Sequence, residues 1–226
     1  MAVTLDQIIP WGRSLEEYRH MFALSDADLT RKILGCGDGP ASFNAEMTAL
    51  GHRVISFDPI YAFSRGQIEQ RVEETYKGMM EQVSRSQWDY VWDRFANVQE
   101  LTEHRLATMR RFLADYDAGL AEGRYVAESL PRLNFSRSQF ELALCSHLLF
   151  LYSEQLSLEF HLESILELCR VARELRIFPL LDLKCRKSAY VEPVQAALAE
   201  AGCRTEIARV NYEFQKGGNE MLRIYR

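Results

Sequence analysis

Lys32-Ile33-Leu34-Gly35-Cys36-Gly37-Asp38-Gly39-Pro40, followed after a helical segment by Arg53-Val54-Ile55-Ser56-Phe57-Asp58, is the stretch whose reading decides the fold. It reads as strand, glycine-rich turn, helix and strand, with a carboxylate closing the second strand. Glycines at three alternate positions leave the main chain bare where a parallel strand hands over to a helix. A ligand can lie there against N–H and C=O groups without meeting a Cβ atom. Asp58 follows the first glycine at roughly the twenty-residue spacing that sets a carboxylate beside a ribose in a βαβ unit. A nucleoside-like ligand is expected.

The glycine spacing separates two ligand classes. The dinucleotide fingerprint G-x-G-x-x-G needs its third glycine where this chain has Pro40. Here the third glycine comes one residue earlier, at Gly39, and Pro40 is expected at the first position of a helix Ala41–Leu50, where a missing N–H costs nothing. G-x-G-x-G followed by an acid after the second strand resembles motifs I and II of the class I S-adenosylmethionine-dependent methyltransferases. The wider strings 33–47 and 142–152 resemble an uncharacterised bacterial branch of that family. The resemblance implies an α/β, Rossmann-like fold: a seven-stranded, mostly parallel sheet with an antiparallel C-terminal strand. It implies S-adenosylmethionine as cofactor, bound by Gly35, Cys36, Gly37, Asp38, Gly39 and Asp58. The family often has an acid two residues before the first glycine, where this chain has Ile33, so contact to the methionine amino group falls to backbone carbonyls or Asp38.

Composition sets the outer bounds. A chain of 226 residues, 47% hydrophobic and 26% charged, fits one α/β domain with an insertion. The net charge of −5 argues against broad electrostatic adhesion to nucleic acid or anionic membrane. No apolar run approaches the ~20 residues a membrane span needs, and the N-terminus lacks a secretory pattern. The five cysteines are scattered without a C-x-x-C pair, which suits buried thiols in a reducing cytoplasm better than disulfides or zinc. No histidine–carboxylate spacing suggests a metal site.

Taken in order, residues 1–29 form a cap segment. Ser14 with Glu17 is a capping box, and Leu15, Tyr18, Met21 and Phe22 make one apolar face. Arg13, in the turn after Trp11, is a candidate fork for the methionine carboxylate, or else a solvated turn residue. After Asp58, the resemblance places Pro59 and Ile60 beside the adenine. Residues 64–123 form a helical insertion between strands two and three, with three helical pieces marked by Ile68/Val72/Tyr76/Met79, Trp88/Val91/Trp92/Phe95 and Met109/Phe112/Leu113/Tyr116/Leu120. It is expected to cap the substrate mouth, cover the sheet edge or form a homodimer surface.

Arg124–Ala127 resumes as the third strand, and Glu128 is the nearest substitute for the acid that meets the adenine amino group in the family. Phe140–Cys145 is a nearly continuous apolar run, broken only by Glu141, as a central parallel strand should be, and it delivers Cys145, Ser146 and His147 to the crevice where open α/β sheets bind ligands. Ser153–Glu174 reads as a long helix, Leu175–Leu181 as a fifth strand interrupted by Pro179, and Val191–Ala201 as a helix stopped by Gly202. Thr205–Phe214 and Glu220–Tyr225 read as an antiparallel hairpin joined by 215–219.

The function implied is methyl transfer to a small-molecule or protein acceptor. His147 is the candidate base or substrate-orienting group, the alternative being that it packs against the adenosyl portion. A non-catalytic cofactor-binding protein is the second reading, and an NAD-linked oxidoreductase, which Pro40 and the terminal hairpin oppose, is the third. The fourth strand runs into Cys145-Ser146-His147-Leu148, unlike the Asn/Asp-Pro-Pro-Tyr string of nucleic-acid amino methylases.

Overall fold

The computed structural model describes residues 11–226; the first ten, with the beginning of the 1–29 segment, lie outside the described residues. The chain runs α1 (Leu15–Met21), α2 (Asp26–Leu29), β1 (Ile33–Cys36), α3 (Phe43–Ala49), β2 (Val54–Phe57), a short 3-10 turn (Pro59–Ala62), α4 (Arg65–Arg85) and α5 (Val98–Ala121). It continues through β3 (Tyr125–Val126), β4 (Phe140–Ser146), α6 (Leu158–Val171), β5 (Ala172–Phe178), α7 (Val191–Glu200), β6 (Arg204–Arg209) and β7 (Glu220–Tyr225).

The seven strands form one sheet in the order β3-β2-β1-β4-β5-β7-β6. All neighbours pair in parallel except β7, which runs antiparallel to both β5 and β6. This is the Rossmann-like arrangement expected, with the reversed strand inserted beside the sixth. The chain leaves β1 toward β2 on one side and returns to β4 on the other, so the carboxyl ends of β1 and β4 flank the switch point of the sheet.

Alternation along the strands splits the core between two faces. Leu34, Cys36, Ala143, Cys145, Leu175 and Ile177 pack with α6 and α7. Ile33, Leu142 and Leu144 face α1, α3 and the insertion. Each fully buried leucine here contributes about 1.5–3 kcal/mol relative to exposure.

Several boundaries differ from expectation. Helix α3 begins at Phe43 behind Ser42, so Pro40 lies in the loop before it. The long helix expected over 153–174 is shorter at both ends. It starts behind its Ser157 cap and gives way at Ala172 directly to β5, which stops one residue before Pro179. Within the insertion only two helices form. The second apolar group, from Trp88 to Phe95, is a single 3-10 turn at Gln87–Asp89 and an irregular strap. Residues 210–219, expected partly as strand, form an extended connection between β6 and β7 that carries Tyr212 and Phe214.

The two inserted helices pack at opposite flanks of the sheet. Phe112, Leu113 and Tyr116 of α5 pack with Tyr61 and Tyr125 over the β2–β3 edge. Met80 and Val83 of α4, with Phe95 and Leu101, pack with Phe178, Tyr212 and Phe214 at the β5–β7 end. The strap is laced to the connection by Val91 N–H donating to Phe214 C=O at 2.8 Å and Lys216 N–H donating to Asp89 C=O at 2.9 Å. Among the described residues no helix is long and apolar enough to cross a membrane.

Candidate active site

A crevice of about 1080 Å3 opens over the carboxyl ends of β2, β1, β4 and β5. Its floor on one side is the glycine loop. Gly37 and Gly39 adopt φ of +66° and +54°, a left-handed path that side-chain-bearing residues resist. The loop is braced rather than free: Gly37 N–H donates to Phe57 C=O at 3.0 Å, and the Tyr61 hydroxyl donates to Gly39 C=O at 2.8 Å.

Asp58 closes the loop from the other side. One carboxylate oxygen accepts Gly39 N–H at 3.0 Å and the other accepts Ile60 N–H at 2.9 Å. The second bond starts the 3-10 turn and holds Pro59 and Ile60 on the crevice wall. Burial raises the Asp58 carboxyl to about 6, and the two N–H donors act against that rise. Each oxygen keeps a further lone pair for a hydroxyl in the crevice.

Asp38 points under the loop instead of across it. It accepts the Tyr18 hydroxyl at 2.6 Å and the Ser56 hydroxyl at 2.5 Å. Its carboxyl is also raised to about 6 by burial, partly offset by those two donors. The position of Gly35 explains why a glycine is needed there: a Cβ would lie 1.9 Å from an Asp38 oxygen. Gly35 therefore makes space for Asp38 and does not itself line the crevice. Cys36 and Cys145 are register partners on β1 and β4, fully buried beneath the floor, and desolvation raises the Cys36 thiol well above the ordinary range. Neither reaches the crevice wall.

Arg13 is held over the loop by its turn. Gly12 lies so close to the loop that a Cβ there would meet Pro40 O at 2.1 Å. One Arg13 terminal nitrogen donates to Trp11 C=O at 3.1 Å, while its Nε is buried without a partner. Burial, then the nearby Arg105 guanidinium, lowers its pKa. Glu17, whose charge reaches Arg13, is taken by Arg105 through bonds of 2.6 and 2.7 Å. Among the described residues no carboxylate bonds Arg13. A half-buried cation facing a crevice without its counter-ion is a place for a ligand carboxylate.

His147 sits at the end of β4 with φ of +53°, uncommon for a residue with a side chain. Its N–H donates to Phe178 C=O at 2.7 Å, locking the ends of β4 and β5 together. The ring Nδ1 is 3.0 Å from the Ser146 hydroxyl, and the ring meets Phe178 edge to face at 5.5 Å. Burial, Arg13 and Arg105 hold its pKa well below the usual histidine range, so the imidazole is neutral at pH 7.

Glu128 is not brought to the site. It accepts the backbone N–H and side-chain amide of Asn134 at 3.3 and 2.8 Å, and the crevice is lined after β3 by Ser129–Arg132 instead. Sequence reasoning also missed contributors. Tyr18 and Ser56 hold Asp38; Tyr212 and Phe214 arrive from the β6–β7 connection; Arg105 comes from α5, one turn before the apolar stripe that starts at Met109. The signal available for that last residue was its helical spacing between Leu101 and Met109, which places Arg105 on the buried face of α5.

No protein-family model matches the chain. It is 34% identical to the uncharacterised protein MJ0045 of the archaeon Methanocaldococcus jannaschii over 231 residues, covering 99% of each chain. The chain belongs to the family of that protein. That relative is archaeal and gives no support to the bacterial branch expected from the sequence. Among solved structures, a putative S-adenosyl-L-methionine-dependent methyltransferase from Methanococcus maripaludis aligns with 94% of this chain and 83% of its own, at 12% identity and a TM-score of 0.48. The N-methyltransferase NodS from Bradyrhizobium japonicum aligns with 93% of this chain and 94% of its own, at 16% identity and 0.46. Likenesses of that strength carry no argument about activity.

Proposed function

We propose that the protein is an S-adenosylmethionine-dependent methyltransferase. The observation that carries this reading is the pairing, across one crevice at the sheet's switch point, of the Asp58 carboxylate with the uncovered Arg13 guanidinium. Asp58 suits the two ribose hydroxyls, Pro59 and Ile60 the adenine, and Arg13 the methionine carboxylate. The bare main chain of Gly37–Gly39 fits the span between them. Asp38 is spent on Tyr18 and Ser56, so the methionine amino group falls to backbone carbonyls. A dinucleotide would instead ask for a third glycine at Pro40 and for an anion site at the start of α3, where Ser42 is turned to Glu46.

Methyl transfer is an in-line displacement. The acceptor's lone pair forms the new bond to carbon as the carbon–sulfur pair returns to sulfur, leaving a neutral thioether. The protein's work is therefore positioning and exclusion of water. His147, neutral and within the crevice, orients the acceptor and takes its proton where one must leave.

Calorimetry with S-adenosylhomocysteine, S-adenosylmethionine and NAD tests the cofactor: binding of the first two with no heat from NAD is expected. Equal binding of NAD, or no binding of the sulfur ligands, removes the reading. The engagement of Glu128 by Asn134 favours, as a second reading, a non-catalytic cofactor-binding protein. Label from methyl-tritiated cofactor appearing on any acceptor excludes it.

A further inference from the structure

The crevice is longer and less polar than one cofactor needs. Its lining spans the ends of β2, β1, β4 and β5, three inter-strand steps of about 4.8 Å, or roughly 14 Å. A pocket in the lower half of the usual range of about 300–1,000 Å3 already serves one drug-sized ligand, so about 1080 Å3 leaves space for a second, ring-sized molecule. The charged lining side chains, Arg13, Asp38, Asp58 and Arg132, come from the N-terminal turn and the loops after β1, β2 and β3. Beyond Arg13, the walls supplied by α4, the strap, the end of β5 and the β6–β7 connection carry no Asp, Glu, Lys or Arg.

Those walls are aromatic and mutually fixed. Tyr90 stacks on Phe214 at 4.7 Å and 24°, Trp11 leans on Phe214 at 6.4 Å, and Phe178 meets Tyr212 edge to face at 5.7 Å. Met79 of α4 adds an adaptable thioether to the same wall. Rings held by other rings present flat surfaces at little entropic cost. An acceptor charge placed among them would be desolvated without a partner. At the inner end the neutral His147 ring offers the one titratable nitrogen of this half.

We propose, resting on the methyltransferase reading, that the acceptor is an uncharged, planar aromatic small molecule bearing a ring hydroxyl, seated between His147 and the aromatic wall of Tyr90, Phe178, Tyr212 and Phe214. The hydroxyl oxygen forms the new carbon–oxygen bond and the carbon–sulfur pair stays on sulfur. The hydroxyl proton goes to His147 Nε2 and then to solvent. The products are an aryl methyl ether and S-adenosylhomocysteine.

The test uses the full chain, methyl-tritiated cofactor and four probes: naphthol, naphthoate, cyclohexanol and a lysine-containing peptide. Calorimetry first establishes cofactor binding. Label is expected on naphthol at a rate at least about tenfold above the other three, since a buried unpaired charge or the loss of ring contact each costs that much. Phe214→Ala and Tyr90→Ala should raise KM for naphthol several-fold while the cofactor Kd holds, with circular dichroism reporting an intact fold. Cofactor binding with label on naphthoate, cyclohexanol or peptide instead, or on none, overturns the acceptor assignment and leaves the methyltransferase reading to stand or fall separately. Absence of cofactor binding overturns both. An unchanged KM for naphthol in both folded variants also overturns the seat proposed here.

Discussion

At the scale of single residues, Asp58 is the side chain on which the cofactor reading turns, and its electrostatics make a prediction with a definite sign. Burial lifts its carboxyl to about 6, so it is ionised at pH 7.5 and protonated at pH 5. Charge-assisted bonds to two ribose hydroxyls need the ionised form and are worth on the order of 1.5–3 kcal/mol. Asp58→Asn should therefore weaken S-adenosylhomocysteine binding by about ten- to a hundredfold at pH 7.5. The gap between variant and wild type should close as pH falls through 6, because the wild type loses the same charge. Calorimetry across that range checks it; a gap that is constant with pH would place the effect elsewhere than in the carboxylate. Gly12 makes the second residue-scale case. The methyl group of Gly12→Ala would stand 2.1 Å from Pro40 O, backbone against backbone, with no flexible side chain to yield. Overpacking of this kind costs about 1–3 kcal/mol. The turn bearing Arg13 must lift, so a lower melting temperature and a weaker S-adenosylhomocysteine Kd are expected together. A variant melting and binding as wild type does would mean that the turn is not seated on the loop.

At the scale of elements, three segments distant in sequence are joined by one buried ion pair. Glu17 of α1 receives Arg105 of α5 through two bonds, the Tyr212 hydroxyl of the β6–β7 connection at 2.8 Å, and His104 at 3.1 Å. Although desolvation opposes ionisation of Glu17, the combined pull of Arg105, His104 and Arg13 outweighs it and leaves the carboxyl well below the usual range. The stability this contributes is present above the unfolded-state pKa near 4.5 and is lost as pH falls toward the lower folded value. Arg105→Met removes the guanidinium from buried Glu17 and leaves only Tyr212 and His104 beside its charge, at a cost of up to about 3–5 kcal/mol. Adding Glu17→Gln should recover much of that loss, since the lone charge is then gone; denaturant unfolding of the four-member cycle measures it, and additive effects would contradict the pairing. This junction also marks where sequence reading stopped. The β1–loop–α3–β2 unit and the reversed β7 were legible because glycine spacing, strand apolarity and turn residues are local signals. The strap after α4 was not: Trp88, Val91, Trp92 and Phe95 are spaced as a helix face, yet Trp88 stands exposed while Val91, Trp92 and Phe95 all meet Phe214, more than a hundred positions away. Likewise Glu128 was placed by counting from the third strand, and only the fold discloses that Asn134 folds back upon it.

At the scale of the whole molecule, the crevice draws on the N-terminal turn, four strand ends, the insertion and the C-terminal connection, so a ligand filling it ties together both flanks of the sheet. The site carries an electrostatic cost that is visible in its parts. Asp38 and Asp58 are ionised at neutral pH against their own desolvation, with both carboxyls raised to about 6, and Arg13 is half-buried with no carboxylate bonded to it among the described residues. For a carboxyl raised on folding, the favourable contribution is complete below about pH 4 and is lost as pH climbs through 6. Both aspartates therefore weaken the fold at pH 7.5. A ligand that supplies hydroxyl donors to Asp58 and a carboxylate to Arg13 relieves two of these three costs on binding. Mass action then sets the size of the response: at a hundred times Kd, a ligand adds about 2.7 kcal/mol to stability. For a chain of this length each kcal/mol moves the melting temperature by about 2–4 °C. S-adenosylhomocysteine at that excess should thus raise it by about 5–11 °C at pH 7.5. The rise should be smaller at pH 5, where Asp58 is already protonated and a ligand hydroxyl gains only a neutral acceptor. NAD, which lacks a carboxylate for Arg13, should leave the melting temperature where it was. Differential scanning calorimetry at the two pH values decides the matter, and a shift from NAD equal to that from S-adenosylhomocysteine would reassign the crevice to a dinucleotide.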